Sequence, residues 1–259
     1  MGNEKMPVLF VGHGSPVNAI SSNAFTSDLK KISALIPLPK AVLVISSHWL
    51  TSGTRITSGN RPEQIYDFYG FPEELYRIRY SPPGSPETVS MICNLVKDIT
   101  LIPDNDRGID HAAWAVLRHI FPDEKIPVLE LSLDMNSTPE FHYKAGKSLS
   151  ALRENGILIL CSGNIVHNLM IMDYYEGIEP YDWALEFDEK IKQLLMADNH
   201  LCLIHYDKLG KMAKYAVPTD DHYVPLLYAA ALKQEGEAIN FFHESIQHGS
   251  ISMRSFIIQ

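Results

Sequence analysis

Pro7-Val8-Leu9-Phe10-Val11-Gly12-His13-Gly14-Ser15-Pro16 is the stretch from which the fold can be read. Its apolar run, Pro7 to Val11, is too short to stand as a helix and reads as a buried strand, after which the chain turns abruptly. Glycine on either side of His13 lets the backbone bend and removes side-chain bulk, and Pro16 stiffens the exit. The imidazole is thus presented at the rim of a sheet with open space beside it. That placement suits a metal ligand or an acid-base group; it equally suits a turn whose histidine makes only a local hydrogen bond.

The layout recurs along the chain. Ala41 to Ser46 is a second apolar strand running into Ser47-His48-Trp49, and Ile157 to Cys161 is a third, followed by Ser162-Gly163-Asn164-Ile165-Val166-His167. Val128 to Leu133 adds a strand, and Thr54 to Ser58 alternates like one. Helical spacing relates Phe25, Leu29 and Ile32 behind the capping group Ser21, Ser22 and Asn23. Further helices are expected over Pro86 to Lys97, over His111 to Ile120 behind Asp110, over Pro139 to Arg153 behind Thr138, and over Tyr181 to Met196. Pro218-Thr219-Asp220-Asp221 is a helix start, so His222 should open a helix reaching about Lys233. Tyr66 to Pro72 reads as an aromatic loop able to wall a pocket, and Tyr76 to Tyr80 as extended chain. Glu237 to Phe242 and Ser252 to Ile258 read as a terminal strand pair. Strands alternating with helices imply one α/β domain over residues 1–259, with a mainly parallel central sheet, helices on both faces and an antiparallel C-terminal strand pair.

Composition narrows the classes of partner. The net charge of -9, from 31 acidic and 22 basic residues, offers no footprint for nucleic acid or an anionic membrane. Cys93, Cys161 and Cys202 are too few and too scattered for a zinc ribbon or a disulfide framework, and Cys161 ends an apolar strand as a small buried hydrophobe. No stretch approaches the roughly 20 apolar residues of a spanning helix, and the opening residues lack the apolar region of a leader. A cytoplasmic protein is expected.

In parallel sheets ligands bind outside the carboxyl ends of the strands. His13, His48 and His167 each lie just past such an end, so they can converge, and several imidazoles at one rim suit a divalent transition metal. Spacing alone leaves this open beside independent structural roles. The order GHGSP around His13, SSHW around His48, YDFYGFPEELY, GIDHAAW around His111, SGNIVHNL around His167 and PTDDHYVPL around His222 resembles the class III extradiol ring-cleavage dioxygenases, in their DOPA 4,5-dioxygenase branch. The resemblance runs from about Pro7 to Ala231.

What the resemblance implies is a metal-dependent enzyme that inserts O2 into the ring of a catechol such as DOPA to give a ring-opened semialdehyde. It implies His13, His48 and His222 as ligands of one divalent ion, Zn2+ or Fe2+, with Fe2+ expected for oxygen chemistry. It implies His167 as acid-base catalyst and as a possible fourth ligand, and His111 as a catalytic pocket histidine. Where the protocatechuate branch completes its site with glutamate, His222 stands here. A non-catalytic binding protein of the Memo type and a zinc hydrolase are the alternative readings.

Other residues carry weaker expectations. Asp220 and Asp221 read first as helix caps and second as partners orienting His222. Tyr66, Phe68 and Tyr69 read as pocket lining or packing, and the glycines beside His13 as room for metal and substrate. His119, His142, His200, His205, His243 and His248 lack a supporting motif.

Overall fold

Strands form where the chain carries short apolar runs. They are β1 (Val8–Gly12), β2 (Ala41–Thr51), β3 (Thr54–Thr57), β4 (Leu101–Asp104), β5 (Val128–Asp134), β6 (Ile157–Gly163), β7 (Ile239–His243), β8 (Ile246–Gln247), β9 (Ile251–Ser252) and β10 (Ser255–Ile258). The computed structural model of the protein describes residues 5–175 and 178–259; of the opening ten residues, read as lacking a leader's apolar region, the first four lie outside them. Eight strands make one sheet in the order β4-β3-β5-β2-β6-β1-β10-β7, while β8 and β9 form a small antiparallel pair. The central strands β5, β2, β6 and β1 are parallel. β10 joins β1 antiparallel and β7 joins β10 antiparallel, giving the expected terminal pair.

The helices are α1 (Ala24–Ile32), α2 (Glu73–Arg77), α3 (Pro86–Leu95), α4 (His111–Ile120), α5 (Pro139–Ser148), α6 (Ser150–Glu154), α7 (Asp182–Met196), α8 (His200–Ile204), α9 (Lys211–Ala216) and α10 (Val224–Leu232). Alternation along the strands divides the core in two. Val8 and Phe10 of β1 face one cluster with Leu43, Ile159, Phe187 and Leu226, whereas Leu9 and Val11 face the other with Phe25, Leu29 and Trp114. Helices α5 to α10 cover the first face and α1 with α4 the second. α10 has no polar side and is buried along its whole length, as an all-apolar helix must be.

Several boundaries differ from the sequence expectations. β2 continues to Thr51, so His48 lies within the strand and not beyond it. Tyr76 and Arg77 belong to α2, whose acidic first turn and Arg77–Glu73 pair support a helix where extended chain was expected. The helix over Pro139 to Arg153 breaks at Leu149 into α5 and α6. His222 sits in the turn before α10 and does not open it. β4 went unseen because Pro103 interrupts its pattern; it pairs only with β3, at the edge, where proline is tolerated. No helix among the described residues is long and apolar enough to cross a membrane.

Candidate functional site

Because β1, β2 and β6 are parallel, their carboxyl ends share one edge of the sheet, and five histidines gather there. His13 follows β1 directly, its amide donating to Gly163 O at 3.2 Å. His48 is presented by a defect in β2. Between the pairs Ile45–Leu131 and Leu50–Leu133, β2 advances five residues while β5 advances two, so residues 46 to 49 bulge out of the ladder with β5, although Ser46 still pairs with Ser162 of β6. The His48 amide is caught by Ser46 Oγ at 3.1 Å, and Ser46 in turn donates to the buried carboxylate of Asp110. His222 is pinned against the end of β6: Asn164 N donates to His222 O at 2.8 Å, and a Cβ on Gly163 would lie 2.2 Å from that oxygen, so only glycine fits.

The tautomers follow from the partners of each ring. His13 Nδ1 donates to Ser162 Oγ at 3.1 Å, because that hydroxyl's own proton goes to Ala112 O at 2.7 Å. His48 Nδ1 donates to Asp67 Oδ2 at 3.1 Å, and His222 Nδ1 donates to Asp221 Oδ2. All three rings therefore direct an Nε2 lone pair inward. His48 Nε2 is 3.2 Å from His13 Nε2 and 3.2 Å from His222 Nε2. A proton on His48 satisfies one of these approaches and leaves the other lone pair against lone pair; a shared cation satisfies both. Bonds of about 2.0–2.1 Å at tetrahedral angles separate ligand nitrogens by roughly 3.3 Å, so the three nitrogens fit a divalent transition ion. His13, His48 and His222 are thus the residues that could hold one.

Asp67, which sequence reasoning passed over, links two of the histidines. Its Oδ1 accepts from both the amide and Nδ1 of His111, at 3.0 and 2.9 Å, while Oδ2 serves His48. Burial pushes Asp67 up, but the bonds from His111 and His48 outweigh it and hold the carboxyl below its ordinary range. Burial likewise disfavours charge on His48, yet the bond from Asp67 and the charge of Asp110 raise it above the usual histidine value. Burial and the neighbouring imidazoles push His13 well down and lower His111. Burial takes His222 to about 4 against the pull of Asp221, and burial with the His222 charge takes His167 to about 2.

His167 lies flat on His222, ring centres 3.5 Å apart and planes 8° from parallel. It is brought to the cluster by this stacking, and it is not one of the three rings whose nitrogens converge. A cavity of about 370 Å³ opens over the cluster, lined by all five histidines with Asp67, Phe68, Tyr69, Phe71, Tyr174 and His248. Phe68 and Tyr69 line it; Tyr66 does not, its hydroxyl donating to Ile78 O at 2.5 Å. His248, set aside in the sequence for want of a motif, stands in the cavity wall.

One expectation is corrected and one is extended. Asp221 is no helix cap: α10 begins without a side-chain cap, and the carboxylate instead orients His222. Gly14 does line the cavity, but the glycines beside His13 also have a packing role. A Cβ on Gly14 would meet Met253 Sδ at 2.4 Å, and one on Gly12 would meet Ser252 O at 2.7 Å, so both are required by the close passage of the segment leading into β10. Cys161 is fully buried, as expected for a packed thiol.

Residues 8–255 match the family model described as the catalytic LigB subunit of aromatic ring-opening dioxygenase. The chain is 38% identical, over 98% of its length and 95% of the relative's, to a 4,5-DOPA dioxygenase extradiol of Escherichia coli strain K12. It is 33% identical to a protein of the same name from Beta vulgaris, over 99% and 98% of the two chains. Among solved structures, an uncharacterized protein from Escherichia coli K12 superposes with a TM-score of 0.86 at 35% identity, covering 98% of this chain and 100% of the other.

Proposed function

The chain belongs to the LigB family of aromatic ring-opening dioxygenases and is an extradiol ring-cleaving enzyme, and on that premise we propose that it opens a catechol of the DOPA type using one divalent metal ion, Fe2+, held by His13, His48 and His222. The observation that carries the metal dependence is the set of three Nε2 atoms facing one another, each ring fixed in that tautomer by Ser162, Asp67 or Asp221. A bound ferrous ion supplies the electron transfer between catechol and O2 that a redox-inert Zn2+ does not.

The protein's own residues do the rest. The cavity of about 370 Å³ has room for one aromatic ring, and Phe68, Phe71 and Tyr174 give it apolar walls. His167 lines the cavity beside the converging rings, placed to take a phenolic proton when the catechol binds and return it when the ring opens. His111 has Nδ1 committed to Asp67, which leaves Nε2 as its free nitrogen for substrate or oxygen. Few and scattered cysteines suit the cytoplasm, where we place the enzyme, acting as one catalytic domain.

The test is anaerobic reconstitution of metal-stripped protein with Fe2+, followed by oxygen uptake with DOPA and other catechols. Oxygen consumption matched to a yellow ring-opened product is expected. Metal binding without uptake from any catechol would sink the proposal.

A further inference from the structure

Away from the metal centre, a carboxylate from α1 and two side chains at the end of β7 line up in hydrogen-bonding order. Asp28, on α1, accepts through Oδ2 from His243 Nδ1 at 2.9 Å, and His243 Nε2 lies 2.8 Å from Ser245 Oγ. With its Nδ1 proton committed to the carboxylate, His243 presents a lone pair at Nε2, so the Ser245 hydroxyl is the donor. A carboxylate that fixes the tautomer, an imidazole that accepts, and a hydroxyl with its proton drawn away are the parts of an activated serine.

The backbone is shaped to bring them together. Phe241 pairs with Phe256 and His243 with Ser255, so β7 advances two residues while β10 advances one, a bulge with Phe242 as the extra residue. Strict alternation would turn Phe242 and His243 to opposite faces. The bulge turns both toward α1, where Phe242 packs in the second core and His243 lies edge-on to Phe25 at 5.2 Å. His243 is buried and Ser245 is exposed, so the base is shielded while the nucleophile meets solvent. Met253 N donates to Ser245 O at 2.8 Å and fixes the serine's backbone. The bond from His243 also holds Asp28 below its ordinary carboxylate value, as expected for an ionised orienting group.

We propose that Asp28, His243 and Ser245 form a second, metal-independent site at which Ser245 accepts the acyl group of small activated esters. Ser245 Oγ forms a bond to the acyl carbon and the bond from that carbon to the aryloxide breaks. The serine proton passes to His243 Nε2 and on to the departing aryloxide; water then releases the acyl group as the free acid.

The experiment uses p-nitrophenyl acetate and the full chain stripped of metal with a chelator, reading p-nitrophenolate release above buffer and acetyl on the Ser245 peptide after acid quench. Release that survives chelation is expected, falling at least roughly 100-fold in Ser245→Ala and His243→Gln and about tenfold or more in Asp28→Asn. Folding of each variant is checked by thermal melting, and Asp28→Asn carries the test if His243→Gln does not fold. Release unchanged in Ser245→Ala, or lost on chelation, overturns the proposal.

Discussion

Asp67 holds His48 from behind, its Oδ2 3.1 Å from His48 Nδ1, while the same carboxylate's other oxygen takes the ring and the amide of His111. One loop residue thus sets the tautomer of a ring that could bind the metal and of a second ring that lines the cavity. Such outer partners typically govern metal affinity by about 10–100-fold. Asp67→Asn should weaken Fe2+ binding by that order in competition with a chromophoric chelator, with a smaller change in the melting temperature of the metal-free protein. Unchanged affinity would show that His48 needs no carboxylate.

Gly14 has φ near +60°, and a Cβ there would strike Met253. A β-branched side chain in that backbone region costs about 1–3 kcal/mol before any clash. Gly14→Val should therefore destabilise the metal-free protein in urea by more than about 2 kcal/mol. Gly14→Ala combined with Met253→Ala should lose less than the sum of the two single variants, because the clash is removed with the methionine. A Gly14→Val protein of wild-type stability that fails only to bind metal would leave Gly14 with no role but open space for ligand.

How much of this was legible in the chain depends on how local each feature is. β1, β2, β5 and β6 were readable because each is an apolar run bounded by turn residues; His13 follows β1 directly and His167 lies four residues past β6. The bulge that presents His48 was not readable, since Ser46-Ser47-His48-Trp49 has nothing in its pattern to mark three extra residues. Asp67 sits in an irregular aromatic loop, where periodicity says nothing about which way a carboxylate turns. Asp221 had a visible cue, its adjacency to His222, but capping explained the same residue until the backbone showed otherwise. His243 and Asp28 are 215 residues apart, a contact only the folded sheet creates.

Arg153 is fully buried and bonds the carboxylate of Glu237 through both Nη atoms, at 2.9 and 2.5 Å, as well as Met6 O and Leu232 O. Burial pushes Glu237 up, but the bonds from Arg153 and Lys5 prevail and hold it at about 2. Its folded value lies below the unfolded value of about 4.3, so its contribution is present above that pH and is lost as pH falls toward the folded value. Glu237→Gln should cost about 3 kcal/mol at neutral pH, because it strands a buried guanidinium. In urea melts at a series of pH values, the gap between wild type and Glu237→Gln should narrow as pH drops from about 5 toward 2. A gap constant with pH would mean that the charge of Glu237 contributes nothing.

His167 separates the roles of ligand and proton carrier. It rests face-on against His222 at 3.5 Å and stands outside the trio of converging nitrogens. Removing it should therefore leave metal uptake nearly intact while removing the group proposed to move protons. His167→Ala should retain close to one Fe2+ per chain by elemental analysis yet lose roughly 100-fold or more in turnover. His167→Phe sharpens the comparison, since a phenyl ring keeps the stacking on His222 but cannot take a proton. If stacking alone mattered, Phe would restore activity and Ala would not; if proton transfer matters, both are slow and both keep their metal. Loss of metal in step with activity in both variants would instead make His167 a fourth ligand, and the flat stacking on His222 would then belong to the metal-free arrangement only.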